Sequence, residues 1–132
     1  MTAMSALSPS SRTVAPCIAV VDDDDAVRAA LNMLIHSFGW RSRSYASARD
    51  YLEAGEPGNC LLLDLNMPGM NGAELLEYLR QRPSPVPTLI LTGERDTPLL
   101  PRALQAGARG YLLKPFQDEV LKTRIEALLA DA

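Results

Sequence analysis

Short apolar runs alternate along this chain with longer segments in which apolar residues recur every three or four positions. The short runs have the length and composition of strands, and the longer segments have the periodicity of helices with one buried face. The strand-like runs are Ile18–Val21, Trp40–Tyr45, Cys60–Leu63, Thr88–Leu91 and Tyr111–Leu113. Because strands and helices alternate, the pattern predicts an α/β fold: a doubly wound five-stranded parallel sheet with right-handed crossovers and helices on both faces.

The helical segments begin and end at residues that commonly flank helices. They cover Asp24–Phe38, Ser47–Ala54, Gly72–Gln81, about 97–106 and about Gln117–Ala130. Asn71 and Thr97 are predicted N-caps, and Gly39 is the predicted stop of the first helix. The residues expected to face the sheet are Val27, Leu31, Leu34, Ile35 and Phe38 in the first helix, Leu75, Leu76 and Leu79 in the third, and Val120, Leu121, Ile125, Leu128 and Leu129 in the last. The strand Trp40–Tyr45 is more polar than the others, which suits a sheet edge.

The composition is that of one ordinary globular domain, with 132 residues of which 47% are hydrophobic and 22% charged. A net charge of -3 argues against direct nucleic-acid binding, because such modules usually carry a basic patch. No apolar stretch approaches the ~18 residues of a membrane span, and residues 1–16 lack the pattern of a signal peptide. We therefore expect a cytoplasmic protein with a flexible tail over residues 1–16 and one folded domain over residues 17–132.

The two cysteines, Cys17 and Cys60, fall near the starts of predicted strands and are expected to be buried free thiols. A disulfide would need close, correctly directed Cβ atoms and an oxidising compartment. Two cysteines alone do not make a zinc site, and His36 is the only histidine. Zinc is therefore excluded as a ligand.

Polar residues follow four of the predicted strands at the point where each strand ends. Asp22 and Asp23 follow the first strand, Asp64 follows the third, Thr92 follows the fourth and Lys114 follows the fifth. Ligands of open parallel α/β sheets bind outside the carboxyl ends of the strands. These residues are therefore expected to meet in one cleft that holds three acids, a hydroxyl and an amine.

Three carboxylates within a few ångströms repel one another unless a cation binds between them. Mg²⁺ fits that role, because it prefers oxygen ligands and is commonly held by carboxylates together with phosphate oxygens. Asp22 and Asp23, at the strand tip, are the candidate ligands together with Asp64. Asp24 and Asp25 are better explained as favourable charges at a helix N-terminus.

A carboxylate can itself attack phosphorus and form an acyl phosphate, and Asp64 is the natural candidate for that nucleophile. Phosphoryl transfer requires in-line positioning and positive charge or hydrogen-bond donors around the phosphoryl oxygens. The Lys114 ammonium group, the Thr92 hydroxyl and Mg²⁺ would provide them. Taken singly each residue is a weak signal, and the combination favours phosphoryl chemistry.

At these motifs the chain resembles the receiver domain of two-component response regulators. The resemblance covers about residues 17–130. The segments that carry it are Val20–Asp23, Leu63–Gly72, Leu91–Gly93 and Gly110–Phe116. It implies a flavodoxin-like receiver fold with strand order 2-1-3-4-5. It also implies that Asp64 accepts a phosphoryl group from a sensor histidine kinase or a phosphotransfer protein, and that Asp22, Asp23, Asp64 and the main-chain carbonyl of Asn66 hold Mg²⁺.

The resemblance further assigns roles at the ends of the last two strands. Thr92 and Lys114 would contact the phosphoryl oxygens, and the bond before Pro115 would be cis. Thr92 and Tyr111 would form a switch on phosphorylation, and the altered face would support a homodimer. On the residues alone, Tyr111 is equally well explained as a half-buried aromatic on an edge strand. The protein would catalyse only its own phosphorylation and dephosphorylation.

Two segments point to one branch of that family. Asp22–Arg28 and Ser44–Ala48 resemble the nodulation and nitrogen-fixation regulators, which usually append a helix-turn-helix output domain. The resemblance therefore implies transcription regulation as the output. Both a stand-alone receiver and a receiver cut from a longer regulator stay open, and the second is favoured because that branch seldom lacks an output.

Three other functions compete with a phospho-acceptor. A small aspartyl-phosphate phosphatase shares the Asp, Thr and Lys, but needs an acid two residues after the nucleophile, where this chain has Asn66. A phosphate-independent interaction module would be marked by lost site residues, and none is lost. Flavin or dinucleotide binding lacks support, because no glycine-rich loop follows the first strand, where Asp23, Asp24 and Asp25 would repel a pyrophosphate.

Overall fold

A computed structural model describes residues 14–131, in which five strands alternate with five helices. In chain order these are β1 (Cys17–Val21), α1 (Asp25–Ser37), β2 (Arg41–Tyr45), α2 (Ala48–Ala54), β3 (Cys60–Asp64), α3 (Gly72–Leu79), β4 (Thr88–Thr92), α4 (Leu99–Gln105), β5 (Tyr111–Leu113) and α5 (Asp118–Ala130). All five predicted strands and all five predicted helices are present. Their ends differ from the predicted ones by at most two residues.

The strands form one parallel sheet in the order β2-β1-β3-β4-β5, which confirms the predicted fold class and strand order. The polar strand β2 lies at the edge, as its composition indicates. Val21 of β1 pairs with Leu63 of β3, and Asp64 pairs with Leu91 of β4. The carboxyl ends of β1, β3 and β4 therefore lie side by side. The polar residues that follow or end these strands, Asp22, Asp64 and Thr92, lie at the same edge of the sheet.

Side chains alternate between the two faces of the sheet and build two separate apolar cores. One core joins β1, β3 and β4 to α2, α3 and α4 through residues such as Val21, Leu63, Ile90, Tyr51, Leu75 and Ala103. The other joins the same strands to α1 and α5 through Val20, Leu62, Leu91, Leu31, Ile35 and Ile125. Both faces of the sheet are covered, which is typical of a doubly wound fold.

Side chains cap the helices that lead away from the site. The Asp24 carboxylate accepts hydrogen bonds from two main-chain N–H groups in the first turn of α1. Asn71 and Glu74 form a reciprocal capping box at the start of α3, which confirms the predicted Asn71 cap. The Thr97 prediction is wrong in detail: Pro98 occupies the N-cap position of α4, and the Thr97 hydroxyl accepts the Leu99 N–H at 3.2 Å.

The burial of single residues mostly follows the predicted pattern. In α5, Leu121, Ile125 and Leu128 are buried, whereas Val120 is 40% exposed, so its predicted inward orientation is wrong. Val120 precedes Leu121 by one residue, which turns it about 100° away from the buried stripe. Cys17 and Cys60 are buried free thiols, as predicted, and burial raises the pKa of Cys60 to about 12.

The predicted tail lies mostly outside the described residues. Its last two residues contact the sheet edge: the Pro16 carbonyl accepts the Arg41 N–H at 2.9 Å, and the Ala15 carbonyl accepts Arg41 Nε at 2.8 Å. Between residues 14 and 131, no helix is both long and apolar enough to cross a membrane. The domain boundary at residue 16 and the cytoplasmic location stay predictions.

Candidate functional site

Three aspartates meet at the carboxyl end of the sheet. Asp22 follows β1 directly, Asp23 is its neighbour, and Asp64 is the last residue of β3. One carboxylate oxygen from each lies within 4.8 Å of the others. Asp22 and Asp64 are only 2% and 7% exposed, while Asp23 is open to solvent. The predicted convergence of the three acids is therefore present in the structure.

Lys114 joins this cluster from the end of β5. Its Nζ donates to Asp22 Oδ2 at 2.8 Å and reaches Asp64 Oδ1 at 3.5 Å. The chain separates Lys114 from Asp22 by 92 positions, so only the parallel sheet brings them together. The Lys114–Pro115 bond is cis, as the resemblance implies.

The environment shifts the pKa values of the two groups that the resemblance places at the phosphoryl group. Burial raises the pKa of Asp64 to about 6, with Lys114 opposing and the negative charges of Asp22 and Asp23 adding to the rise. Burial lowers the pKa of Lys114, but its hydrogen bond to Asp22 and the charge of Asp64 outweigh that effect, so the pKa is raised overall. The ammonium group is thus the local counter-charge to the acids.

The donor set suits a hard divalent cation. All three converging ligand atoms are carboxylate oxygens, and two of the three carboxylates are withdrawn from bulk water. Hard cations such as Mg²⁺ prefer oxygen donors of this kind and retain water at the remaining positions. An acidic cluster that can hold a metal ion is therefore present. Asn66 follows Asp64 by two residues with an exposed side chain, and its carbonyl as a further ligand stays a prediction.

Thr92 lies at the tip of β4 but its hydroxyl is directed to the following loop. Thr92 Oγ1 donates to the Glu94 carbonyl at 3.1 Å and accepts the Glu94 N–H at 3.3 Å. The side chain is fully buried. The structure thus places Thr92 at the predicted end of the sheet, with its hydroxyl bonded to the loop after β4 rather than to the acids.

Tyr111 lies on the edge strand β5 and is half-buried. It packs against the core that includes α4, and it lines a groove together with Thr97, Pro98 and Leu104. Its position is consistent with both sequence interpretations, the switch residue and the ordinary edge aromatic.

Gly72, which the sequence marks only as the first residue of the third predicted helix and the end of a matching segment, has a further role at the site. It opens α3, its N–H donates to the Leu65 carbonyl at 2.9 Å, and a Cβ there would meet the main-chain oxygen of Asp64 and lie 3.0 Å from Leu65 Cα. The glycine lets the start of α3 approach the backbone that carries Asp64. The only sign of this role in the sequence is that Gly72 directly follows the predicted N-cap Asn71.

The substitution Gly72→Ala is expected to destabilise the fold by about 2–3 kcal/mol, because the added methyl group has only main chain to displace. Urea denaturation would measure it against Gly93→Ala, where a Cβ meets nothing within 4 Å and which should stay within about 0.5 kcal/mol of wild type. Equal stability of the two variants would contradict the close approach of α3 to the strand tip.

Comparison with known proteins gives consistent matches. Residues 18–126 match the family model described as response regulator receiver domain. The transcriptional regulatory protein FixJ of Bradyrhizobium diazoefficiens is 40% identical over 117 residues, which cover 87% of this chain and 57% of FixJ. The Nodulation protein W of the same organism is 34% identical over 110 residues, covering 82% of this chain and 48% of that protein.

Solved structures show the same architecture. Full-length FixJ from B. japonicum superposes with a TM-score of 0.81 at 39% identity, covering 89% of this chain and 59% of the FixJ chain. A CheY-like receiver domain protein from Methanospirillum hungatei superposes with a TM-score of 0.82 at 29% identity, covering 89% of this chain and 95% of the other. The chain spans about half the length of the curated relatives that it matches.

Proposed function

The chain belongs to the response regulator receiver domain family of two-component signalling, and from that premise we propose that Asp64 is its phospho-acceptor. The observation that carries the proposal is the meeting of Asp22, Asp23, Asp64 and Lys114 at one end of the sheet. Asp64 is buried beside two other carboxylates and an ammonium group. This arrangement suits attack on a phosphoryl group better than it suits an ordinary hydrated surface carboxylate.

In the proposed reaction a carboxylate oxygen of Asp64 attacks phosphorus, an O–P bond forms, and the P–N bond of the donor phosphohistidine breaks. The imidazole leaves with the bonding electron pair, and Asp64 becomes an acyl phosphate. Asp22, Asp23 and Asp64, with the Asn66 carbonyl, would hold Mg²⁺, which supplies positive charge to the phosphoryl oxygens when bound. The Lys114 ammonium group would exchange its hydrogen bond to Asp22 for one to a phosphoryl oxygen, or would donate to both acceptors.

The switch is proposed to begin at Thr92. Its hydroxyl is bonded to the Glu94 main chain, so contact with a phosphoryl oxygen requires that these bonds break and the loop after β4 moves. Tyr111 lines the groove beside that loop, and α4 follows it. New charge and acceptor oxygens at Asp64 would therefore shift the loop, α4 and Tyr111 together.

Phosphoryl uptake is expected to depend on the metal ion. Intact mass should show that wild-type protein gains one phosphoryl group when it is incubated with acetyl phosphate and Mg²⁺. When EDTA replaces Mg²⁺, the rate of this phosphorylation should fall about a hundredfold or more. The reason is that the two carboxylates beside Asp64, buried Asp22 and exposed Asp23, repel the incoming phosphate unless a cation offsets their charge. Equal uptake in EDTA would count against the role given to Asp22 and Asp23.

The proposed donor is a sensor histidine kinase or a phosphotransfer protein, and the proposed output is transcription regulation. Support comes from FixJ and Nodulation protein W, whose lengths exceed the matched region. We propose no direct nucleic-acid or membrane partner for the described domain. Catalysis is confined in this proposal to the protein's own phosphorylation and dephosphorylation, since Asn66 offers an amide where a phosphatase needs an acid.

Phosphorylation is also expected to produce a homodimer through the face formed by α4, β5 and α5. Leu104 of α4 and Val120 of α5 are each 40% exposed, which gives this face apolar surface to bury. Light scattering after size exclusion should report a mass shift from monomer to dimer when Mg²⁺ and beryllium fluoride are added. An unchanged monomer mass at high protein concentration would contradict the prediction.

A further inference from the structure

We propose that Arg28 is a positioning residue for the acidic cluster: it holds the main-chain carbonyl of Asp22 and so fixes the backbone that presents Asp22 and Asp23. The inference deepens the proposed function and rests on it, because the property concerned is the affinity of this cluster for Mg²⁺. Nothing in the motifs that carry the family resemblance assigns this role to Arg28.

The contacts of Arg28 tie α1 to the tip of β1. The side chain is 17% exposed, and its Nη1 donates to the Asp22 carbonyl at 2.7 Å. Its Nη2 pairs with the carboxylate of Asp25, one turn earlier on α1. The planar guanidinium group thus spans one acceptor that follows β1, the Asp22 carbonyl, and one in the first turn of α1, the Asp25 carboxylate. A single ammonium group does not match this arrangement.

The carbonyl that Arg28 holds belongs to the first peptide group that leaves the sheet. The Asp22 N–H still donates to the Tyr45 carbonyl of β2 at 3.2 Å, whereas β1 itself ends at Val21. On the other side, the Asp24 N–H donates to Asp22 Oδ1 at 2.9 Å, and the Asp24 side chain caps α1. Asp23 therefore lies between two anchored peptide groups, and Arg28 supplies one of the anchors.

Two effects of Arg28 on metal affinity have opposite signs. A cation near three carboxylates competes with Mg²⁺, so if charge alone mattered, removal of Arg28 would tighten Mg²⁺ binding. If Arg28 positions the backbone, its removal frees the Asp22–Asp23 peptide, and the carboxylates must be ordered when the metal binds, which weakens binding. The sign of the change in Kd therefore separates positioning from electrostatics.

Isothermal titration of the protein with Mg²⁺ tests the inference on wild type, Arg28→Met, Arg28→Lys and the control Arg49→Met. Arg28→Met is expected to raise the Kd about three- to tenfold, the equivalent of one lost hydrogen bond. Arg28→Lys should raise it less, since the charge is kept and the planar fork is lost. Arg49→Met should leave the Kd unchanged, because Arg49 only pairs with Glu53 on the exposed face of α2.

An equal or lower Kd in Arg28→Met would overturn the positioning role. Urea denaturation in EDTA establishes that each variant is folded, and if Arg28→Met does not fold, an Arg28→Lys variant with the wild-type Kd overturns the role instead. Failure of the proposed function looks different: the wild-type protein itself would then bind no Mg²⁺.

Discussion

A chain with Asp64→Asn takes up no phosphoryl group under conditions in which wild type takes up one. The amide has the shape of the carboxylate but no nucleophilic oxygen, so the acyl phosphate cannot form. Intact mass after incubation with acetyl phosphate and Mg²⁺ measures the difference. The matched control is Asp50→Asn, an exposed aspartate in the first turn of α2, which should gain the group as wild type does.

The same substitution is expected to leave the fold at least as stable as wild type in EDTA. Burial and the neighbouring carboxylates, opposed by Lys114, raise the pKa of Asp64 to about 6, so ionising this carboxyl costs more free energy in the folded state than in the unfolded state. Asparagine removes that cost while keeping the shape. A loss of uptake in Asp64→Asn would therefore not be caused by unfolding. Normal uptake by this variant would contradict the assignment of Asp64.

The second large effect is expected for Lys114→Met. Lys114 holds Asp22 at 2.8 Å and is the ammonium group closest to the reacting carboxylate, so its loss should slow phosphoryl uptake about a hundredfold. In EDTA the variant should also lose about 1–3 kcal/mol of stability, because Asp22 is 2% exposed and loses a charged hydrogen-bond donor. Uptake rates and urea denaturation measure the two effects.

Mg²⁺ should recover more stability in Lys114→Met than in wild type, because the ion offsets the negative charge that Lys114 no longer compensates. The control is Lys122→Met, which removes the only other lysine of the sequence. The Lys122 ammonium group lies 5.8 Å from the ring centroid of Phe38, on the face of the sheet that α1 covers. Equal effects of the two substitutions on uptake would contradict a specific role for Lys114.

The fold and the position of the site were predictable from the sequence because they depend on periodicity and strand order. Apolar runs that end in Asp22, Asp64, Thr92 and Lys114 place these residues at one edge of any parallel sheet. The structure confirms the meeting of Lys114 with Asp22 across 92 positions.

Other features depend on contacts that no local pattern encodes. The bond of Arg28 to the Asp22 carbonyl exists only once α1 packs beside β1, so no pattern within the helix predicts it. The need for glycine at position 72 follows from the approach of α3 to the main chain of Asp64. Val120 was placed on the wrong face because two adjacent apolar residues leave the phase of a helical stripe ambiguous.

The most direct test of the account is to locate the phosphoryl group on the wild-type protein. After incubation with acetyl phosphate and Mg²⁺, borohydride reduces an aspartyl phosphate to homoserine, and peptide mass spectrometry finds the altered residue. We expect homoserine at position 64 alone. Homoserine at position 22 or 23, or a phosphoryl group retained on a serine or threonine, would contradict it.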